Sequence, residues 1–479
     1  MRFRVCRHLP KFAPMTDEAH TTAHDGVAMP ARIWAIVTIA LGIVMAVMDS
    51  AIANVALPTI ARDLHTDAAL SIWIVNGYQL AITISLLPLA ALGDIVGYRR
   101  VYIAGLALFT AASLACAFSF SLTSLAPARM VQGFGAAGIM SVNTALVRFI
   151  YPQRLLGRGI GINALVVASS AAIGPTVASL ILAFANWPWL FAVNVPFGIA
   201  ALFMAARFLP HTPRAAHAFD LSSAALSAVT VGLLIASIDA FGHGERFILF
   251  AAELGMAAAL AFVLIRRERT VKFPLMPVDL LRIPMFALSV GTSICSFAAQ
   301  MLALVSLPFL MQRGYSWTAV ETGLLITPWP IATGIAAPIA GRLADRYPAG
   351  LLGGIGLIAF ATGLMALAFL PAHPGNVDIV WRMALAGAGF GLFQSPNNRA
   401  MINSAPRERS GGASGMLGTA RLLGQTTGAA LVALIFARVP VGGTTICLYL
   451  AALFAVAAAI VSSLRLRNAR AAPAELGAE

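Results

Sequence analysis

Residues 33–57 read IWAIVTIALGIVMAVMDSAIANVAL, an apolar run interrupted by one ionisable side chain, Asp49. A helix rises 1.5 Å per residue, so about 20 apolar residues cross the roughly 30 Å hydrocarbon core of a bilayer. This stretch is long enough to span. A carboxylate inside it costs about 2.5–3.5 kcal/mol on insertion scales, which makes Asp49 a candidate functional residue by default. Burial penalises the charged form, so such a group can switch by taking up a proton or can hold a cation. The bland alternative is a structural carboxylate paired with a donor from a neighbouring helix.

Comparable apolar runs recur to the C-terminus, near 71–92, 101–120, 123–147, 159–183, 188–207, 220–240, 247–265, 286–311, 319–340, 350–370, 379–401, 411–436 and 442–464. With the first they make fourteen. The composition agrees: 59% of residues are hydrophobic, 11% are charged and the mean hydropathy is +0.85. A water-soluble core could not hide so much apolar surface, so the expected fold is an all-α polytopic membrane protein. The net charge of +13 comes from Lys and Arg dispersed through loops rather than clustered, which argues for topology and against a nucleic-acid partner. With the N-terminus in the cytoplasm, only Arg62, Arg246, Arg313 and Arg438 fall in outer loops. That asymmetry satisfies the positive-inside rule and puts both termini in the cytoplasm. The first 30 residues lack an apolar region leading to a cleavage site and do not read as a signal peptide, and Met15 is an alternative start.

Internal repetition divides the chain. Leu92-Gly93-Asp94-Ile95-Val96-Gly97-Tyr98-Arg99-Arg100 closes the second run and Gly341-Arg342-Leu343-Ala344-Asp345-Arg346-Tyr347 closes the tenth. Arg129-Met130 and Arg382-Met383 follow at similar distances, each opening a Gly-rich segment. Repeated halves are a common plan of transporter folds. The expected organisation is a tail (1–32), a six-helix half (33–210), a two-helix insert with its loop (211–285), a second six-helix half (286–465) and a tail (466–479).

From here the residues resemble the major facilitator superfamily, and within it the fourteen-helix drug:proton antiporters, over about residues 33–465. Met48-Asp49-Ser50-Ala51-Ile52-Ala53-Asn54-Val55-Ala56-Leu57-Pro58 is similar to that group's first-helix motif. Asp94, Gly97, Arg99 and Arg100 match the loop motif between helices two and three, with Ala90 and Ile95 as departures. Arg129, Gln132, Gly133, Gly135 and Ala137 match the fourth-helix pattern. Gly161, Gly174 and Pro175 match the fifth-helix antiporter motif, but Ser170 and Ala178-Ser179 depart from it and leave import open. Trp73, Tyr78 and Ser395-Pro396-Asn397-Asn398 also look like this group.

The resemblance implies proton-coupled export of amphipathic compounds, cationic ones first. Asp49 would carry proton or substrate, Arg129 with Gln132 would tune it, and Asp94, Gly97, Arg99 and Arg100 would form a cytoplasmic latch. Trp73, Tyr78, Asn397 and Asn398 would line the substrate cavity. The alternative for Arg129 is snorkelling to the outer interface. Glu253 and Arg421 are further charges inside apolar runs, each needing a partner, water or a cavity.

Enzyme chemistry finds no support. The two lysines, Lys11 and Lys272, follow no P-loop pattern, no histidine is mid-span, and the four cysteines are scattered singly. No metal or cofactor is expected, the energy source being an ion gradient and the partners protons, a small-molecule substrate and the bilayer. A monomer in a bacterial inner membrane is the expected setting. Two rivals stay open: a metabolite exporter or symporter of the same fold, and a non-transporting sensor or assembly partner.

Overall fold

A computed structural model of the chain describes residues 26–212, 214, 219–242, 247–271, 278–406 and 409–471. Fourteen long helical elements follow one another: α1 (Ala31–Asp63), α2 (Ala68–Val96, with a turn at Ile72), α3 (Tyr98–Ala117), α4 (Leu122–Ile150), α5 (Leu156–Phe184), α6 (Trp189–Phe208, with a turn at Val193) and α7 (Leu221–Gly242). The remainder are α8 (Phe247–Glu268), α9 (Pro284–Phe309), α10 (Ala319–Leu343, with a turn at Thr327), α11 (Ala349–Ala368), α12 (Asn376–Ser404), α13 (Ser410–Arg438) and α14 (Gly443–Ala471).

Local chemistry sets several of the boundaries. Ser121 and Ser124 form a capping box at the start of α4, and Thr318 and Glu321 form another at α10. Gly97, at φ +100°, turns the chain between α2 and α3 in a conformation that L side chains rarely adopt. Thirteen of the helical spans among the described residues are long and apolar enough to cross a membrane, and α12 is not one of them. The fourteenth expected span, 379–401, is nevertheless present as this helix, the most polar of the set. Its 29 residues include Asp378, Arg382, Asn397, Asn398 and Arg399. It packs between α10 and α11 with Phe390 and Phe393 buried, so protein rather than lipid surrounds much of it and its polar residues are tolerated.

The two six-helix units repeat one crossing. A β-carbon added to Gly135 on α4 would stand 2.4 Å from the Phe109 amide nitrogen of α3, and one added to Gly389 on α12 would stand 2.4 Å from the Phe360 amide nitrogen of α11. Gly105 and Gly356 complete the two contacts. Small residues let helix backbones approach where hydrophobic exclusion offers no drive. Between the units, α7 packs against α2 and α13, with Ile235 against Leu80 and Ala430, while α8 packs chiefly on α7. Arg267 on α8 reaches Asp220 at 3.0 Å and Ser223 Oγ at 3.1 Å, fastening the open end of the hairpin.

The end of the bundle where α1 begins is called the near end here. At the far end one apolar cluster runs across both units, joining Leu57, Ile60, Trp187 and Phe191 to Phe309, Met311, Trp329 and Phe436. Thr59 Oγ1 lies 3.0 Å from Gln312 Oε1, Gln312 Nε2 donates to the Val55 carbonyl at 2.9 Å, and the Thr176 and Thr327 hydroxyls are 3.0 Å apart. Toward the near end the cores separate, one around Tyr102, Phe109 and Ile150, the other around Phe286, Met401 and Met416. The units share one core at the far end, and toward the near end they keep separate cores and touch along α2 and α13, where Leu422 joins the first core.

Candidate functional site

Asp49 lies on the buried face of α1, with Ala46 and Ala53 a turn to either side. Both small residues let neighbouring helices come close. Gly133 does the same for α4, since a β-carbon there would meet the Tyr78 carbonyl of α2 at 2.5 Å. Arg129, one turn before Gly133, is thereby drawn into the unit and is fully buried. Its Nη1 donates to Asp49 Oδ2, and also to Gln132 Oε1 at 2.6 Å. Its Nε donates to the Ile74 carbonyl at 3.1 Å. The guanidinium carbon stands 4.2 Å from the Tyr78 ring centroid and 5.3 Å from that of Phe191.

The second carboxylate oxygen is equally engaged. Gln132 Nε2 and Asn194 Nδ2 each donate to Asp49 Oδ1 at 2.9 Å. Gln132 Nε2 also donates to Ser113 Oγ at 2.8 Å, and Cys116 Sγ lies 3.6 Å from Gln132 Oε1. Five helices (α1, α2, α3, α4 and α6) thus converge on one carboxylate that is 1% exposed. A buried pair is retained at little cost only when hydrogen bonds satisfy its remaining atoms, and here nearly all are satisfied. Arg129 does not snorkel to the interface.

The structure brings Asp49, Arg129 and Gln132 together and adds Asn194, Ser113 and Tyr78. Sequence reasoning missed Asn194 in this role; its signal was an amide inside an otherwise apolar run. Tyr78 was expected to line a cavity, but it is 1% exposed, its hydroxyl donates to the Ala46 carbonyl at 2.9 Å and its ring is taken by Arg129. Asn397 was expected there too and is 1% exposed, bonded to Ser293 Oγ at 2.8 Å between α12 and α9. In this conformation both side chains are taken up in contacts between helices. Trp73 and Asn398 are half-buried.

The loop motif is not closed as a charge network. Asp94 accepts from the Tyr98 hydroxyl, while Arg99 reaches the Ala206 carbonyl and stands 2.6 Å from His211 Nε2. No ion pair joins Asp94 to Arg99 or Arg100 among the described residues. In the second unit Asp345 does pair, with Arg399 of α12. Gly174 and Pro175 sit at a three-helix crossing. A β-carbon on Gly174 would lie 2.6 Å from Ala51 Cβ, and the Pro175 carbonyl oxygen lies 2.6 Å from where Gly323 would carry one. Glu253 is half-buried on α8, outside the two six-helix units, with Oε2 unpartnered among the described residues. No group of His, Cys, Asp and Glu among the described residues could hold a metal ion.

The Major Facilitator Superfamily profile matches residues 39–429 and, in a second match, 288–479. An uncharacterised transporter of Escherichia coli (strain K12), YebQ, is 58% identical, over 93% of this chain and 98% of its own length. The riboflavin transporter RibZ of Clostridioides difficile (strain 630) is 30% identical, over 84% of this chain and 88% of its own. The multidrug resistance protein Stp of Mycobacterium tuberculosis (strain CDC 1551 / Oshkosh) is 33% identical, over 83% of this chain and 74% of its own. Among solved structures, a bacterial homologue of the human lysosomal transporter Spinster superposes with a TM-score of 0.66 at 15% identity, over 92% of this chain and 98% of that one.

Proposed function

The chain belongs to the major facilitator superfamily, and on that footing we propose that it is a secondary transporter exporting amphipathic compounds in exchange for protons. The observation that carries this reading is the sealed Asp49 cluster. A carboxylate held by Arg129, Gln132 and Asn194 ties α1, α4 and α6 together while it is charged. Taking up a proton removes the negative charge opposite Arg129, and the guanidinium, still bonded to the Ile74 carbonyl and Gln132 Oε1 and set against two ring faces, is left without a counter-ion. Proton binding is thereby converted into a change in how the helices of the first unit are held.

The division of the molecule supports the same reading. Halves that share a core at one end and keep separate cores at the other can rock against each other, as alternating access requires. With the near end cytoplasmic, as the Lys and Arg bias implies, this is the form that loads from inside. Asp94, Arg99 and Arg100 are the latch of the opposite form, and their separation here fits a latch that is undone. The protein works as a monomer in a bacterial inner membrane, both termini cytoplasmic, without cofactor. Asp49 is already occupied by Arg129, so the cationic preference implied by the resemblance does not rest on that carboxylate and charge preference is set elsewhere.

The test is dye flux in proteoliposomes under an imposed pH gradient, with ethidium, rhodamine 6G and fluorescein offered separately to wild type and Asp49→Asn. Gradient-driven movement of at least one dye, lost in the variant, is the expected result. Movement that survives in the variant would place coupling at another residue, and movement indifferent to the gradient would remove proton exchange. The relation to a riboflavin transporter favours a second reading, a metabolite transporter of the same fold, which a substrate screen separates.

A further inference from the structure

Among the described residues of the two six-helix units, three Asp, Glu, Arg or Lys side chains lie seven or more residues from both ends of their helix: Asp49, Arg129 and Arg421. The first two neutralise each other. Among the described residues Arg421 has no ion-pair partner, and its Nε is buried without a hydrogen-bond partner. Such a charge is costly unless it meets a counter-charge, water or a cavity.

The surroundings of α13 show what Arg421 faces. On one side Leu422 packs into the core of the first unit, Thr426 lies 2.9 Å from the Thr83 hydroxyl of α2, and Gly418 would carry a β-carbon 3.3 Å from Leu86 Cδ2. On the other, β-carbons on Gly424 and Gly428 would stand 2.5 Å from the Ile294 and Ala298 carbonyls of α9. Ala413, Met416 and Ala420 pack with Phe286 and Val290 of α9. Beyond the α2 contact, Ala430 meets Ile235 of the insert, so α7 covers the outward seam.

One arc of α13 remains. At 100° per residue, Ser414, Arg421 and Gln425 fall within about 40° of one another, between the α2 face and the α9 face and away from the insert. Ser414 is exposed, and Arg421 and Gln425 are half-buried. This polar stripe therefore lies at the boundary between the units, on the arc of α13 that neither α2, α9 nor the insert covers.

We propose that Arg421, with Gln425 one turn on, is the binding point for an acidic group of the exported compound, so that substrates are amphipathic organic anions carrying a carboxylate or phenolate. A guanidinium fork recognises such groups through paired donors, and Gln425 adds a neutral donor alongside. No described mid-span carboxylate in the two units is free to hold a cation instead. The inference rests on the export function proposed above and concerns binding alone.

The experiment is fluorescence polarisation with the purified full-length protein in nanodiscs of neutral phosphatidylcholine, without any gradient. The probes are fluorescein, an anion, and rhodamine 6G, a cation on the same ring system whose carboxyl is blocked as an ester. Wild type should bind fluorescein in preference, and Arg421→Gln should weaken that binding by roughly tenfold or more, the scale of one charge-assisted hydrogen bond. Arg421→Lys should fall between, and rhodamine 6G binding should not weaken in either. Equal or stronger binding of rhodamine 6G by wild type would overturn the proposal without recourse to a variant, as would fluorescein affinity unchanged in a folded Arg421→Gln protein. A failure of pH-driven flux would count against proton exchange and leave this binding result standing.

Discussion

Removing one charge of a buried pair leaves the other without a counter-ion in low dielectric, a change that costs about 3–5 kcal/mol. Arg129→Ala should therefore lower the unfolding midpoint of the purified protein sharply, because Asp49 would keep only the Gln132 and Asn194 donors. Neutralising both, as Asp49→Asn with Arg129→Gln, should recover much of the loss. A double variant as unstable as the sum of the single ones would show that the two side chains do not act as a pair. Asn194→Ala removes one neutral donor and should cost less, about 1–3 kcal/mol, while slowing coupled flux. Asp49 was legible in the sequence because a charge in an apolar run is conspicuous. Asn194 was not, since a neutral amide in a span is ordinary until α6 is seen to deliver it to the carboxylate. Tyr78 shows a related ambiguity: ring spacing along a helix does not say whether the ring meets a substrate or a buried guanidinium, and here it faces Arg129.

At the scale of helices, the paired crossings of α3 on α4 and α11 on α12 invite a matched test. Gly135→Ala and Gly389→Ala each place a methyl group within 2.4 Å of a backbone nitrogen that cannot move without its helix. Each should destabilise by about 1–3 kcal/mol, the usual cost of overpacking, and by similar amounts if the crossings are equivalent. A thermal shift confined to one of the two would show that the second unit is not held as the first is. The insert hairpin gives a pH test. Burial would raise the Asp220 carboxyl, but hydrogen bonds from Ser223 and the Arg267 guanidinium outweigh it and hold the group below its ordinary value. The contribution of that clasp is therefore complete above the ordinary carboxylate range and lost only as pH falls through the lowered value. Amide exchange in the first turn of α7, corrected for intrinsic rates, should be flat from pH 5 to 8 in wild type and faster throughout in Asp220→Asn. All fourteen spans were readable as apolar runs, and thirteen of the described helices also pass a stricter measure of length and hydropathy. The polar α12 falls short by that measure, because its surroundings are largely protein, a fact that its own residues do not state.

For the whole molecule, the far-end seam is where alternation can be arrested. Thr176 of α5 and Thr327 at the turn within α10 face each other across it with hydroxyls 3.0 Å apart, and neither touches the Asp49 cluster or Arg421. The neighbouring crossing is tight, with Gly323 set against the Pro175 carbonyl, so the two backbones are close enough for a disulfide to be attempted. Oxidation of a Thr176→Cys, Thr327→Cys variant should hold the far end shut. If the protein exports by exposing its cleft to each side in turn, the locked form should bind substrate from the near end and release none at the far end, with flux restored by reductant. Buried Cys116 and Cys447 are poor competitors for oxidant, and a variant that also replaces the half-buried Cys295 controls for the remaining described thiol. Transport that continued with the disulfide formed would mean that this seam does not open during the cycle, and the parting of the two cores at the near end would then need another explanation.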